Sequence, residues 1–136
     1  MYSDMLDLYG DNGNIEILRY RAKARGIETI VEHHSVGTED TNFSSYDLIY
    51  LGGGADFEQQ LLANDLLNCR EKIMKAYNNG TFFLLICGGY QLMGEFYKDS
   101  NGEVIDGLGM FPYHTEASLN KSKRCIGNII IESELG

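Results

Sequence analysis

The stretch that most restricts the fold is Phe82-Phe83-Leu84-Leu85-Ile86, an unbroken apolar run that leads into Cys87 and is followed at once by Gly88 and Gly89. A short apolar run bounded by turn residues suits a strand buried on both faces of a sheet. The residues from Tyr90 to Phe96 can continue as a helix. The pattern therefore predicts strand, tight turn and helix with a thiol at the turn, which is the form of a nucleophile elbow. Small neighbours let the backbone fold back without a Cβ clash. The helix that follows would aim its free N–H groups and positive dipole end at the sulfur, favouring thiolate. A cysteine at the end of an apolar strand is also, commonly, a small buried hydrophobe. Both readings stand on the string alone.

The remaining chain alternates between helical and extended patterns. Asp11, Asn12 and Asn14 are good N-caps for a helix from about Ile15, with Ile15, Leu18 and Ala22 on one face and Gly26 as the stop. Glu28 to His34 alternates and predicts a strand. Val36 to Ser45 reads as polar loop. Tyr46 to Leu51 predicts a second buried strand, stopped by Gly52-Gly53-Gly54. Asp56 to Leu62 begins helically, and Asp65 to Tyr77 predicts a clearer helix closed by Asn79-Gly80. Beyond the elbow, Asp99-Ser100-Asn101-Gly102 marks a turn, and Leu108 to Phe111 and Ile126 to Glu132 are apolar segments around a polar stretch. Strands alternating with helices imply an α/β domain with a mostly parallel sheet covered by helices. Ligands of such sheets bind beyond the carboxyl ends of the strands, where the glycine loop and the Cys87 turn both fall.

Composition removes several functions. With 136 residues the chain is long enough for one domain with a real core, and 11 basic against 20 acidic residues give a net charge of −9. That balance argues against nucleic acid or an anionic membrane as partner, since both require cationic contacts. No apolar stretch approaches the length of a membrane span, and the first residues do not read as a signal peptide. Cys69, Cys87 and Cys125 are too far apart for a metal motif or a disulfide framework, which points to a reducing cytoplasm. Gly52-Gly53-Gly54 can be a simple turn, a phosphate loop or an oxyanion hole. The second lacks the Gly-Lys-Ser/Thr ending, and the third would use bare backbone N–H groups close to a substrate.

Cys87-Gly88-Gly89-Tyr90-Gln91-Leu92-Met93-Gly94 resembles the nucleophile segment of class I, triad-type glutamine amidotransferases, although Leu85 stands where many members carry glycine. The branch it resembles most holds the glutaminase domain of cobyric acid synthases and the GatD-type glutaminase subunits of lipid II isoglutaminyl synthases. Asp7-Leu8-Tyr9-Gly10-Asp11-Asn12-Gly13-Asn14-Ile15, Gly52-Gly53-Gly54-Ala55-Asp56 with Glu58-Gln59, Gly107-Leu108-Gly109 and Arg124-Cys125-Ile126-Gly127-Asn128 fit the GatD-type branch. The resemblance covers essentially the whole chain. It implies a flavodoxin-like three-layer domain and a glutaminase with Cys87 as nucleophile. Gly53 (or Gly52) and Gly88 would supply the oxyanion N–H groups, and Gln91 and Arg124 would hold substrate L-glutamine. Arg124 also reads as a solvated loop charge among Lys121, Ser122 and Lys123.

The same resemblance implies a MurT-like Mur ligase partner in a heterodimer, which takes the ammonia and amidates the D-glutamate of lipid II in peptidoglycan synthesis. ATP and metal would belong to that partner, with no cofactor in this chain. A class I glutaminase also needs a histidine beyond the elbow to move the proton. His33, His34 and His114 match no such position and read as surface or loop residues. Residues 1–136 are thus expected to be a single incomplete domain lacking a first strand and the region of the catalytic histidine, and to be inactive alone. Two alternatives remain: a cobyric acid synthase-like glutaminase, and a non-catalytic subunit of the same fold. Tyr2, Met5 and Tyr9 are candidate partner contacts or simply pack beneath a neighbouring loop.

Overall fold

A computed structural model describes residues 1–7, 10–118 and 127–133. The frame is a parallel pair, β1 (Leu48–Leu51) and β2 (Phe82–Leu85), in the register Leu48↔Phe82 to Leu51↔Leu85. Two helices, α2 (Asp56–Asn68) and α3 (Arg70–Asn78), make the crossover that parallel strands require. The expected single helix from Asp65 to Tyr77 is instead divided at Cys69. That residue sits at φ −92, ψ −1, and its N–H bonds back to the Leu66 carbonyl at 3.0 Å. The division turns Ile73 and Ala76 into the core, and Gly80 at φ +95 ends the crossover.

The strand before Cys87 is less covered than its apolar run predicts. Phe82 is 63% exposed and Phe83 to Leu85 are half-buried. A strand reads as fully apolar when both of its faces are to be covered, and among the described residues β1 is the only strand paired with it.

The helix after Cys87, α4 (Gly88–Met93), is also shorter than predicted. Phe96 leaves it to open β3 (Phe96–Lys98), which pairs antiparallel with β4 (Val104–Asp106) and parallel with β5 (Thr115–Glu116). The Asp99–Gly102 turn forms as expected. Asp99 accepts the N–H groups of Asn101 and Glu103 at 2.8 Å each, and Gly102 takes φ +88.

Near the start, α1 runs Asn12–Lys23, closed where Gly26 at φ +72 lets the Ile27 N–H reach the Ala22 carbonyl at 3.0 Å. It buries no residue fully; Ile15 and Ala22 are half-buried and Leu18 is exposed. The strand expected over Glu28 to His34 does not form. Its residues belong to no regular element, and Ile30 is 92% exposed. Alternation specifies a strand only where a sheet edge offers partners, and here the Tyr2 N–H on the His34 carbonyl is the one such bond among the described residues. The Val36–Ser45 loop is not wholly polar surface either. It holds a short 3-10 helix at Phe43–Ser45 that buries Phe43, and it buries Thr38 beside Cys69.

The core gathers Leu51, Leu62, Leu66, Ile73, Leu92, Met93 and Leu108. Each such side chain contributes about 1.5–3 kcal/mol when withdrawn from water. The opening segment is part of this core. Tyr2 and Leu6 are fully buried, and the Tyr2 hydroxyl donates to Asp65 at 2.6 Å. Burial, reinforced by Asp65, raises the Tyr2 phenol well above its usual range. Tyr2 is therefore packing rather than an exposed partner contact, Met5 is half-buried, and Tyr9 lies outside the described residues.

Candidate active site

Cys87 is exposed and adopts φ 51, ψ −112, a left-handed conformation rare for any residue but glycine. Holding a non-glycine residue there costs on the order of 1–3 kcal/mol, which the surroundings must offset. They do so on both sides of the thiol. Ile86 still bonds to β1 through the Leu51 carbonyl at 3.0 Å, and Leu92 and Met93 anchor α4 in the core. Between them the Gly89 N–H reaches the carbonyls of Ile86 and Gly52, each at 2.9 Å. A Cβ on Gly89 would lie 2.5 Å from the Leu51 carbonyl oxygen, so only glycine fits where α4 abuts β1. The turn is thus a strand-to-helix elbow that presents its sulfur to solvent.

The glycine loop lies directly against it. A Cβ on Gly53 would come within 3.0 Å of the Cys87 Cβ and 3.4 Å of its Sγ. One on Gly88 would come within 3.2 Å of the Gly54 nitrogen. The two loops singled out from sequence are therefore one site at the carboxyl ends of β1 and β2. The Gly53 N–H, however, already has an acceptor, since it donates to Asp11 Oδ1 at 3.0 Å. Asp11 makes no side-chain cap bond to α1. It is buried and also receives the Tyr50 hydroxyl at 3.3 Å. Burial pushes the Tyr50 phenol up, against a hydrogen bond from Asn14 that pulls it down. Sequence reading took Asp11 for a cap. Its one other signal was that Asn12 and Asn14 beside it left a surplus of cap candidates.

Gln91, on the same helix as the elbow, is half-buried and accepts from the Gln59 amide at 3.0 Å. Gln59 is itself buried and also donates to the Gly54 carbonyl at 3.1 Å, so one side chain braces the glycine loop against the elbow helix. The motif Glu58-Gln59 marks the residue in the sequence but not its bracing role. Next to Gln91, Tyr97 donates to Asp56 at 3.0 Å. Burial first, and the Asp56 carboxylate second, push its phenol from 10.0 up to about 12.

Arg124 lies outside the described residues. The three histidines are occupied elsewhere: His33 bonds Ser3 at 2.7 Å, His34 bonds Tyr46 at 2.8 Å, and His114 stacks on Phe96 at 4.6 Å. Among the described residues no cluster of His, Cys, Asp or Glu could hold a metal ion, and no helix is long and apolar enough to cross a membrane.

Comparison with known proteins bears on this site. Residues 1–135 match the model of the CobB/CobQ-like glutamine amidotransferase domain. The lipid II isoglutaminyl synthase (glutamine-hydrolyzing) subunit GatD of Streptococcus pneumoniae is 39% identical over 134 residues, covering 98% of this chain and 50% of that protein. Its namesake in Staphylococcus aureus is 41% identical over 133 residues, covering 97% of this chain and 53% of that protein. A cobyric acid synthase of Limosilactobacillus reuteri is 30% identical over 82 residues, 57% of this chain and 16% of that protein. The chain spans about half the length of the two GatD proteins.

Proposed function

This chain belongs to the CobB/CobQ-like glutamine amidotransferase family, and from that premise we propose that it carries the nucleophile and oxyanion portion of a glutaminase that feeds ammonia to a lipid II isoglutaminyl synthase. The observation that carries the reading is the left-handed Cys87 at φ 51, exposed on its elbow with the bare backbone of Gly53 against its sulfur. In this reading the Cys87 thiolate adds to the side-chain amide carbon of L-glutamine. The carbonyl electrons move to oxygen, and the N–H groups of Gly53 and Gly88 receive that negative oxygen. The C–N bond breaks, ammonia leaves with the proton taken from the thiol, and water hydrolyses the Cys87 thioester to glutamate. Gln91 helps seat the glutamine, and Arg124 pairs with its α-carboxylate through a planar guanidinium. The general base is assigned to none of the three histidines, each of which is engaged elsewhere.

The acceptor half follows from chemistry. A carboxylate must be activated before ammonia can displace its oxygen, and this sequence has no Gly-Lys-Ser/Thr nucleotide loop. We assign that step to a separate MurT-like, ATP-dependent Mur ligase partner in the cytoplasm, which amidates the D-glutamate of lipid II and holds the nucleotide and its metal.

The test is labelling of the full-length gene product with a glutamine-mimicking diazo-ketone, followed by peptide mapping. Cys87 should be modified while Cys69 and Cys125 are spared, and protection by L-glutamine should slow the reaction. Equal modification of all three cysteines would sink the elbow reading.

A further inference from the structure

The N–H assigned to the oxyanion is already taken. Gly53 donates to Asp11 Oδ1 at 3.0 Å in a buried contact. The place a Gly53 Cβ would fill lies 3.6 Å from that carboxylate oxygen and 3.4 Å from Cys87 Sγ, so acid and thiol flank the same glycine. The Asp11 carbonyl accepts the Asn14 N–H at the start of α1, but its side chain makes no cap bond to the helix. The neighbouring glycine confirms how tightly the acid belongs to the loop: a Cβ on Gly52 would sit 3.0 Å from the Asp11 Cβ. An ionised acceptor holds an N–H more strongly than a neutral amide carbonyl does. A second negative charge beside the sulfur also opposes both the thiolate and the oxyanion.

We propose that Asp11 is a positioning residue that latches the Gly53 N–H in the resting protein, so that turnover requires the oxyanion to displace the Asp11 carboxylate from it. This rests on the assignment of Cys87 and Gly53 made above. It also links the site to the opening segment, because Leu6 packs against Gly52 and Gly54 of the same loop that Asp11 holds.

Glutamate γ-semialdehyde is the probe. Its aldehyde carbon bonds to the Cys87 sulfur, the carbonyl π pair moves to oxygen, and the thiol proton passes to solvent, so the adduct oxygen carries the negative charge that the donors receive. The product is a tetrahedral thiohemiacetal that needs the oxyanion donors. Affinity is measured on the full-length protein and on Asp11→Asn, which keeps the shape and the acceptor oxygen but loses the charge, with melting temperature as the check on folding. The latch predicts that D11N binds the semialdehyde about tenfold more tightly, the scale of one charge-assisted hydrogen bond. Equal affinity in the two proteins, with Cys87 adding to both, overturns the latch and leaves the glutaminase reading standing. Weaker binding by D11N at unchanged melting temperature overturns it too, since Asp11 would then support the donor. Absence of any Cys87 adduct in wild type removes the nucleophile assignment itself.

Should D11N not fold, the wild-type protein decides by NMR. The Gly53 amide should show a through-hydrogen-bond scalar coupling to the Asp11 side-chain carboxyl carbon in the free protein, as the 3.0 Å contact requires, and lose that coupling in the adduct. Retention of the coupling in the adduct overturns the latch.

Discussion

Single residues differ sharply in how much the site constrains them. Gly89 and Gly53 flank the same thiol, but a Cβ on Gly89 would strike the Leu51 carbonyl at 2.5 Å and the Gly52 carbonyl at 2.9 Å, both fixed backbone. The atoms nearest a Cβ on Gly53 would be side-chain atoms of Cys87 and Asp11, the closest at 3.0 Å. Gly89→Ala is therefore expected to destabilise by on the order of 1–3 kcal/mol or more, as overpacking against rigid groups does. Gly53→Ala should lose far less stability but slow Cys87 labelling, because its methyl sits at the sulfur. Urea unfolding of both variants, beside their labelling rates, separates the two effects. Similar destabilisation by both would show that the glycine loop is as rigidly packed as the elbow.

At the scale of elements, two polar side chains add to the apolar packing that α2 shares with the elbow helix and β3. Gln59 ties Gly54 to Gln91, and Tyr97 on β3 ties to Asp56 at the start of α2. The Tyr97 phenol is raised from 10.0 to about 12, so its contribution is whole below pH 10.0 and is lost as pH rises through about 12. Melting temperature should fall between those values, and Tyr97→Phe, already lacking the Asp56 bond, should start lower and fall less steeply. Parallel curves for the two proteins would remove the claim.

These ties are not legible in the sequence, where Gln59 stands out only as part of the loop motif and Tyr97 not at all. What could be read was local: the strand, turn and helix around Cys87, the glycine loop after β1, and the Asp99–Gly102 turn all follow from neighbours along the chain. Where the pattern misled, the cause lay in three dimensions. Glu28 to His34 has strand periodicity but no ladder, and Asp11 has cap chemistry but a better partner 42 residues away in Gly53.

For the molecule as a whole, division of labour is the consequence that can be tested. In the proposed function the elbow and glycine loop form the acyl-enzyme on Cys87, while amidation of a carboxylate also requires a nucleotide site, and this sequence holds no Gly-Lys-Ser/Thr loop. Ammonia released without an activated acceptor is glutamine wasted, so a glutaminase of this kind should be active chiefly when its ligase is bound. The structure offers apolar surface for contacts, although not where the opening segment suggested. Tyr2 is buried, whereas Phe82 on β2 is 63% exposed and Ile129 and Ile131 are 82% and 74% exposed. Exposed apolar groups of this size are candidates for cover by further protein. Co-expression of the full-length gene product with a neighbouring Mur-ligase-like subunit should give one peak in size-exclusion chromatography. Glutaminase turnover should rise in the complex, and further in Asp11→Asn without the ligase if the latch is what the ligase releases. Separate elution at micromolar concentrations, with turnover indifferent to the ligase, would count against a two-subunit synthase and leave Cys87 serving some other acceptor.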